Sequence, residues 1–331
     1  MNILLIGDPH FKVDNALETS QLSQKTLEYV KEHQAELSFI VVMGDVLDTH
    51  EKIHIQPLCR ANYFITELSK LVYTFVLIGN HDRMNNKDFL STNHPFTAFK
   101  NHPNLKIVDK VIKYKKFIFV PYVENGRFAE ALATIDFEAD KQIIFAHQEF
   151  KGANLRTMVS ETGDVWPTDY PLVFSGHIHC YQKVQDNLYY VGTPYQQNFY
   201  ESEDKALMLL KLKEDDFEIE RIRLDIIKKK IVNIKIEDLL EWQNDPKYLH
   251  KLVIEGSTKM IKKIFEDKRI KEILSADNIS YKIKNIFEDK DSPKYMVKTG
   301  KSFTEMLSEN IDKLTEYEKE LFQSISSSSV S

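Results

Sequence analysis

Five short clusters in the chain offer residues that bind divalent metal ions: Gly7-Asp8-Pro9-His10, Gly44-Asp45-Val46-Leu47-Asp48, Gly79-Asn80-His81-Asp82, Ala146-His147 and Gly176-His177-Ile178-His179. Carboxylate and amide oxygens offered together with imidazoles suit borderline cations such as Mn²⁺, Fe²⁺ or Zn²⁺ better than Ca²⁺, which prefers cages made of oxygen. The donors are too many for one tetrahedral zinc. Two adjacent ions sharing a bridging carboxylate account for their number, and such a pair clamps the attacking and leaving oxygens of a phosphoryl displacement. Taken singly, each cluster reads as a turn or a hydrogen-bonded surface pair. Five in succession, each at the end of an apolar run, do not. Of the 11 histidines, His33, His50, His54, His94, His102 and His250 lack such a context and read as solvated or core residues.

The apolar runs around these clusters read as strands buried on both faces: Asn2 to Ile6, Leu37 to Met43, Tyr73 to Ile78, Ile143 to Ala146 and Leu172 to Phe174. Leu58, Ala61, Ile65, Leu68 and Val72 recur at three- or four-residue intervals, the stripe of a helix packed on a sheet. Strand alternating with helix predicts an α/β sheet, whose ligands collect outside the carboxyl ends of the strands. That rule brings the five clusters to one edge although they lie far apart in sequence. Glycine before four of them lets the backbone turn off its strand where a side chain would obstruct the approach. Val111 to Tyr122 is β-rich, and Gln182 to Val191 reads as a hairpin turning at Asp186-Asn187.

A chain of 331 residues predicts one large domain plus a smaller one. The pattern changes around Asp225 to Lys230, where a Lys228-Lys229-Lys230 run follows the last strand of the first domain and precedes Ile231 to Ile236. Beyond it come a strand (Lys251 to Glu255), a helix (Ser257 to Leu274) and a strand in which Ile279, Tyr281 and Ile283 alternate with Ser280, Lys282 and Lys284. Ser302-Phe303-Thr304-Glu305 has the form of a capping box and opens an amphipathic helix. The expected division is therefore 1–225, 226–301, a terminal helix 302–325 and a disordered tail 326–331.

Composition narrows the class. With 42% apolar and 28% charged residues the chain is globular, neither collagen-like nor wholly disordered. No apolar run approaches the ~20 residues of a membrane span, and the opening Met1 to Ile6 lacks the length and basic flank of a signal peptide. A soluble, cytoplasmic protein is expected. Cys59 and Cys180 lack metal or redox spacing and read as buried free thiols. The net charge of −6 argues against a nucleic-acid ligand only until it is divided: −7 over residues 1–204, +5 over 205–301 and −4 over 302–331. Two bound dications would offset part of the −7 and draw anionic substrate into the cleft.

The order Asp-x-His, Gly-Asp-x-x-Asp, Gly-Asn-His-Asp, His, Gly-His-x-His resembles that of the calcineurin-like metallophosphoesterase superfamily, over roughly residues 1–223. The resemblance implies a four-layer αββα sandwich with a smaller α/β capping domain and a C-terminal helix. It implies that Asp8, His10 and His179 bind one metal, that Asn80, His147 and His177 bind the other, and that Asp45 bridges them. His81 matches the catalytic histidine over the scissile phosphate, and Asp48 and Asp82 match residues that orient the ligands. Within the superfamily the chain looks like the double-strand-break repair nucleases of the SbcD and meiotic-recombination type, closest in plan to the phage recombination endonuclease subunit. Tyr190-Val191-Gly192-Thr193-Pro194-Tyr195 resembles their Gly-Ser/Thr-Pro segment. The small α/β unit follows where they carry a DNA-capping domain, and the last helix sits where they bind the coiled-coil root of an ATPase. The second motif ends in Asp48, as in bacterial and phage members, where eukaryotic and archaeal ones often have His. The chain is shorter than cellular relatives, which fits a viral form.

The activity so implied is hydrolysis of DNA phosphodiesters, endonucleolytic or exonucleolytic, in an SbcCD-like end-processing and recombination complex, with two divalent ions and Mn²⁺ as first choice. A water or hydroxide held between the ions attacks phosphorus in line, and His81 stabilises or protonates the departing oxygen. The partners implied are double-stranded DNA ends, the ATPase on helix 302–325, and a second copy of the chain through helices near Asn15 to Val30 or Pro57 to Leu71. Lys228, Lys229, Lys230, Lys259, Lys262, Lys263, Lys282 and Lys284 could contact phosphates, or simply form a solvated face. The rivals are a phosphatase or cyclic-nucleotide phosphodiesterase of the same superfamily and a non-catalytic scaffold with the same fold. Asp48-Thr49-His50 lacks the Asp-Arg-Gly of protein phosphatases, and Asp82 stands where they have Glu. Against a scaffold stand the full ligand set and His81.

Overall fold

The computed structural model describes residues 1–285 except 51, 138–141, 215, 258–259 and 262–265. Strands β1 (Asn2–Ile6), β2 (Leu37–Val42), β3 (Thr74–Leu77) and β4 (Leu105–Val108) lie side by side in parallel. Helices α1 (Ala16–His33) and α2 (Ile55–Leu71) make the crossovers that parallel pairing requires. A second sheet is built from β5 (Ile112–Tyr114), β6 (Phe117–Val120), β7 (Ile143–Ala146), β8 (Leu172–Ser175), β9 (Gln182–Gln185) and β10 (Leu188–Tyr190), in the order β5-β6-β7-β8-β10-β9. The chain then returns to the first sheet, adding β11 (Leu207–Leu212) and β12 (Phe217–Ile222) antiparallel beside β1.

The sheets pack face to face through aromatic rings, Phe39 and Phe75 from the first meeting Phe117, Phe119 and Phe145 from the second. Helices α1 and α2 cover the outer face of the first sheet, burying Val30, Phe64, Ile65 and Leu68 against Leu4, Ile40 and Val76. On the far side α3 (Phe128–Leu132) and irregular chain carrying Phe150 and Trp166 cover the second. The four layers expected from the sequence are present. The fourth is mostly loop: among the described residues its only α-helix is the five-residue α3.

A separate three-stranded parallel sheet follows: β13 (Lys228–Lys235), β14 (Tyr248–Gly256) and β15 (Ile279–Asn285), with α4 (Lys268–Leu274) between the last two. Its core is Ile236, Leu239, Leu252, Ile254, Ile261 and Ile270. Two expectations change here. The small unit, expected to start at Ile231 after the basic run, starts with that run, which opens β13. The helix expected over 257–274 is not continuous, because residues 266 and 267 are non-helical and Asp267 caps a new helix by accepting from the Arg269 amide at 2.8 Å.

Lys229 also changes role. Strand geometry turns it away from Lys228 and Lys230 into the interior, where its Nζ lies 2.6 Å from Glu18 of α1. Leu22, Tyr195 and Ile226 pack nearby. It ties the small sheet to the sandwich and offers no charge to a surface ligand. Lys228 pairs with Glu203, Lys230 lies over the Tyr248 ring, and Lys284 pairs with Glu255. Lys259, Lys262, Lys263, the helix 302–325 and the tail 326–331 lie outside the described residues. Both cysteines are free as expected but not buried: Cys59 faces outward from α2 and Cys180 is half-exposed. No helix among the described residues is long and apolar enough to cross a membrane.

Candidate metal centre

The loops leaving β1, β2 and β3 meet those leaving β7 and β8 at one edge of the sandwich, the carboxyl ends of parallel strands. Three of the residues gathered there are not glycine yet have left-handed backbones: His10 (φ 46°), Asp45 (φ 47°) and His177 (φ 77°). Such conformations cost energy for residues with a side chain and concentrate where function demands a particular aim.

Two donor sets form around one shared carboxylate. At one end His10 Nε2 and His179 Nε2 face each other at 3.0 Å, with Asp8 in the same group. At the other, Asn80 Oδ1 lies 3.0 Å from His147 Nε2 and 2.9 Å from His177 Nδ1. Asp45 Oδ2 sits between, 3.3 Å from His147 Nε2 and 3.8 Å from His10 Nε2. The buried Oδ1 of Asp8 has no hydrogen-bond partner. Such an orphaned carboxylate oxygen amid imidazoles is costly unless a cation occupies the site, so the donor set fits two divalent ions.

The surrounding contacts aim each ligand. His147 Nδ1 donates to the Met43 carbonyl at 2.8 Å and His179 Nδ1 to Glu201 at 3.0 Å, so each turns Nε2 inward. His10 Nδ1 lies 3.3 Å from Asp48 Oδ1. Asp82, expected to orient the ligands, engages backbone and no imidazole. It accepts from the amides of Val46, Leu47 and Gly79, stitching the second cluster to the third. Burial and the charge of Asp45 push its carboxyl up, against the pull of those amides. Burial also works to raise Asp45, but His147, His10 and His81 outweigh it and hold that carboxyl far below the usual range.

His81 is not part of either set around Asp45 but lies against one of them, its ring edge-on to His10 with centroids 5.1 Å apart and its ligand atoms grouped with those of His10 and Asp48. Its Nδ1 donates to the Asp48 carbonyl at 2.9 Å, its backbone amide donates to Asp45 Oδ1 at 2.8 Å, and Nε2 is left to act. His50 stacks on it with centroids 4.5 Å apart, a contact that sequence reading did not anticipate.

Glu201 was also missed. It lies in an irregular loop 22 residues from His179, buried, and held by Lys205 at 2.8 Å. The nearby Gly-Thr-Pro segment was the available signal. Replacing Glu201 with Gln should loosen His179 and weaken binding of one ion about tenfold, measured as one of two Mn²⁺ affinities by calorimetry. Unchanged affinities would show that Glu201 does not orient His179.

Burial disfavours a charge on His147, but Asp45, Asp8 and the Met43 carbonyl prevail and raise it to about 9. A cation must displace that proton. Below about pH 9, Mn²⁺ affinity at this end should therefore fall by up to about tenfold per pH unit. Calorimetry at about pH 6 and about pH 8 tests this, and equal affinities would contradict it.

The family model for calcineurin-like phosphoesterase matches residues 1–199. A relative named "Putative phosphoesterase 244L" from Invertebrate iridescent virus 6 is 41% identical over 279 residues, 80% of this chain and 98% of its own. "Putative phosphoesterase 078R" from Invertebrate iridescent virus 3 is 40% identical over 268 residues, 78% of this chain and 77% of its own. Among solved structures, a purple acid phosphatase from yellow lupin aligns at 11% identity and a TM-score of 0.44, covering 67% of this chain and 51% of that one. GAP50 of the Plasmodium inner membrane complex aligns at 14% identity and a TM-score of 0.41, covering 70% of this chain and 90% of its own. The chain belongs to the calcineurin-like phosphoesterase family, hydrolases that work with divalent metal ions.

Proposed function

We propose that this phosphoesterase is a DNA phosphodiesterase, the nuclease subunit of an end-processing and recombination complex. One observation carries the reading. The loop that holds His179 through Glu201 also holds the small sheet: Gln196 accepts from the Lys229 amide at 2.7 Å, and its Nε2 donates to the carbonyls of Glu201 and Lys229. A second unit joined directly to the rim of a metal site suits a polymer that extends past the reacting phosphate.

Asp8, His10 and His179 would hold one ion, Asn80, His147 and His177 the other, with Asp45 shared. Two bound dications, Mn²⁺ first among them, supply the polarised water and the charge stabilisation of an in-line displacement. His81 presents Nε2 to the departing oxygen, and its Nδ1 bond to the Asp48 carbonyl fixes the ring for that proton transfer. The double-stranded ends, the coiled-coil ATPase on residues 302–325 and a second copy of the chain belong to the same reading. A pull-down with and without residues 302–325 tests the ATPase contact.

The deciding experiment compares Mn²⁺-dependent degradation of linear duplex DNA with hydrolysis of a phosphomonoester. DNA degradation is expected to dominate. Preference for the monoester would replace the nuclease reading with a phosphatase, and no turnover despite full metal content would leave a scaffold.

A further inference from the structure

The cleft beside His177 and His179 has a volume of about 210 Å³, with Arg156 and Asn198 on its rim. That is below the roughly 300 Å³ at which drug-sized pockets begin, so it has room for a piece of a nucleotide and none for a duplex. Next to it stands Tyr200, with 67% of its surface exposed.

An isolated surface tyrosine means little, but this one is fixed on three sides. Its amide donates to Asn198 Oδ1 at 2.9 Å, and Asn198 Nδ2 donates to Glu201, the residue that holds His179. Its carbonyl accepts from the Arg156 guanidinium. Lys251, from β14 of the small sheet, brings its ammonium to 5.6 Å from the Tyr200 centroid and 5.9 Å from that of Phe199. No aromatic ring of the described residues packs on Tyr200, whose exposed ring has the Lys251 ammonium over it and whose backbone is held by Arg156. The residue is anchored through Glu201 to one end of the candidate metal centre.

Aromatic faces beside Lys and Arg bind single-stranded nucleic acid by stacking bases and pairing phosphates, with little regard to sequence. A base inside a duplex already has both faces occupied. Only an unpaired or terminal base can use this ring.

We propose that Tyr200, Arg156 and Lys251 form a subsite that seats one unpaired nucleobase and its phosphate beside the metal centre, so that the enzyme acts on single-stranded or frayed DNA termini. The subsite rests on the nuclease reading for its role but can be tested without cleavage. The test is a mutant cycle in the full-length chain carrying His81→Ala, with Mn²⁺ present. Binding of a labelled single-stranded oligothymidylate of about 12 nucleotides is followed by anisotropy. Tyr200→Ala should weaken binding about tenfold, Tyr200→Trp should retain it, and a blunt duplex should not distinguish them. Scanning an abasic residue along the strand should find one position that costs the Tyr200 protein about tenfold and costs Tyr200→Ala nothing. Lys251→Ala should flatten the dependence of log affinity on log salt by about 0.7.

An abasic penalty that is equal in both proteins, or a Tyr200→Ala loss that is equal on the blunt duplex, overturns the subsite. Coupling without cleavage of the same oligonucleotide by the unmutated enzyme leaves the subsite standing and discards the nuclease reading. Cleavage without coupling does the reverse.

Discussion

Replacing His81 with alanine is expected to lower kcat on DNA by about 10²- to 10⁴-fold, the usual worth of a positioned proton donor, while both metal ions still bind. The separation follows from the geometry. His81 is hydrogen-bonded to the metal centre through its backbone amide, which donates to Asp45 Oδ1 at 2.8 Å, and alanine keeps that amide. Its ring is held by the Asp48 carbonyl and by His50, and it meets the ligand His10 only edge-on, with centroids 5.1 Å apart. The variant therefore loses the Nε2 proton and one ring contact of His10, while every residue of the two donor sets is kept. Turnover on a phosphodiester and metal stoichiometry should be measured together. A variant that retains turnover does not use His81 as its acid. One that sheds an ion along with activity makes His81 part of the metal scaffold.

The ligands were legible because each lies where an apolar run stops, and a buried parallel strand leaves a strong sequence trace. Ala146-His147 needed only one donor after Ile143 to Ala146 to be placed at the right edge. Residues whose roles depend on distant loops left no such trace. His50 meets His81 across a loop, and Glu201 reaches His179 from irregular chain, so neither position has a periodicity to read. Lys229 misled because a run of three lysines looks like one surface. A strand sends alternate residues to opposite faces, and the buried partner, Glu18, is 211 residues away. The glycines were half understood. Of the four that precede clusters, only Gly44 has a left-handed backbone (φ 107°). Gly7 is needed because another segment approaches: a Cβ there would lie 1.8 Å from the Gly192 carbonyl oxygen.

Gly79 turns the same argument into the second large effect. A Cβ at this position would lie 2.1 Å from Asp45 Oδ1 and 2.3 Å from the Asp45 amide nitrogen. A side-chain tip can rotate away, but a backbone nitrogen cannot, so Gly79→Ala must move the turn that carries the bridging carboxylate. Asp45 Oδ2 now lies 3.3 Å from His147 and 3.8 Å from His10, spacing that suits a shared ligand. A displacement of about 1 Å is enough to cost roughly 10²-fold in rate, and Mn²⁺ affinity should fall with it although no ligand has been replaced. Gly126→Ala is the control. Its φ of 87° makes alanine strained, by roughly 1–2 kcal/mol, yet a Cβ there meets nothing within 4 Å. That variant should melt earlier with its rate unchanged. If Gly79→Ala keeps both ions and loses less than about threefold in rate, Asp45 is not held in register by the absence of a side chain at Gly79.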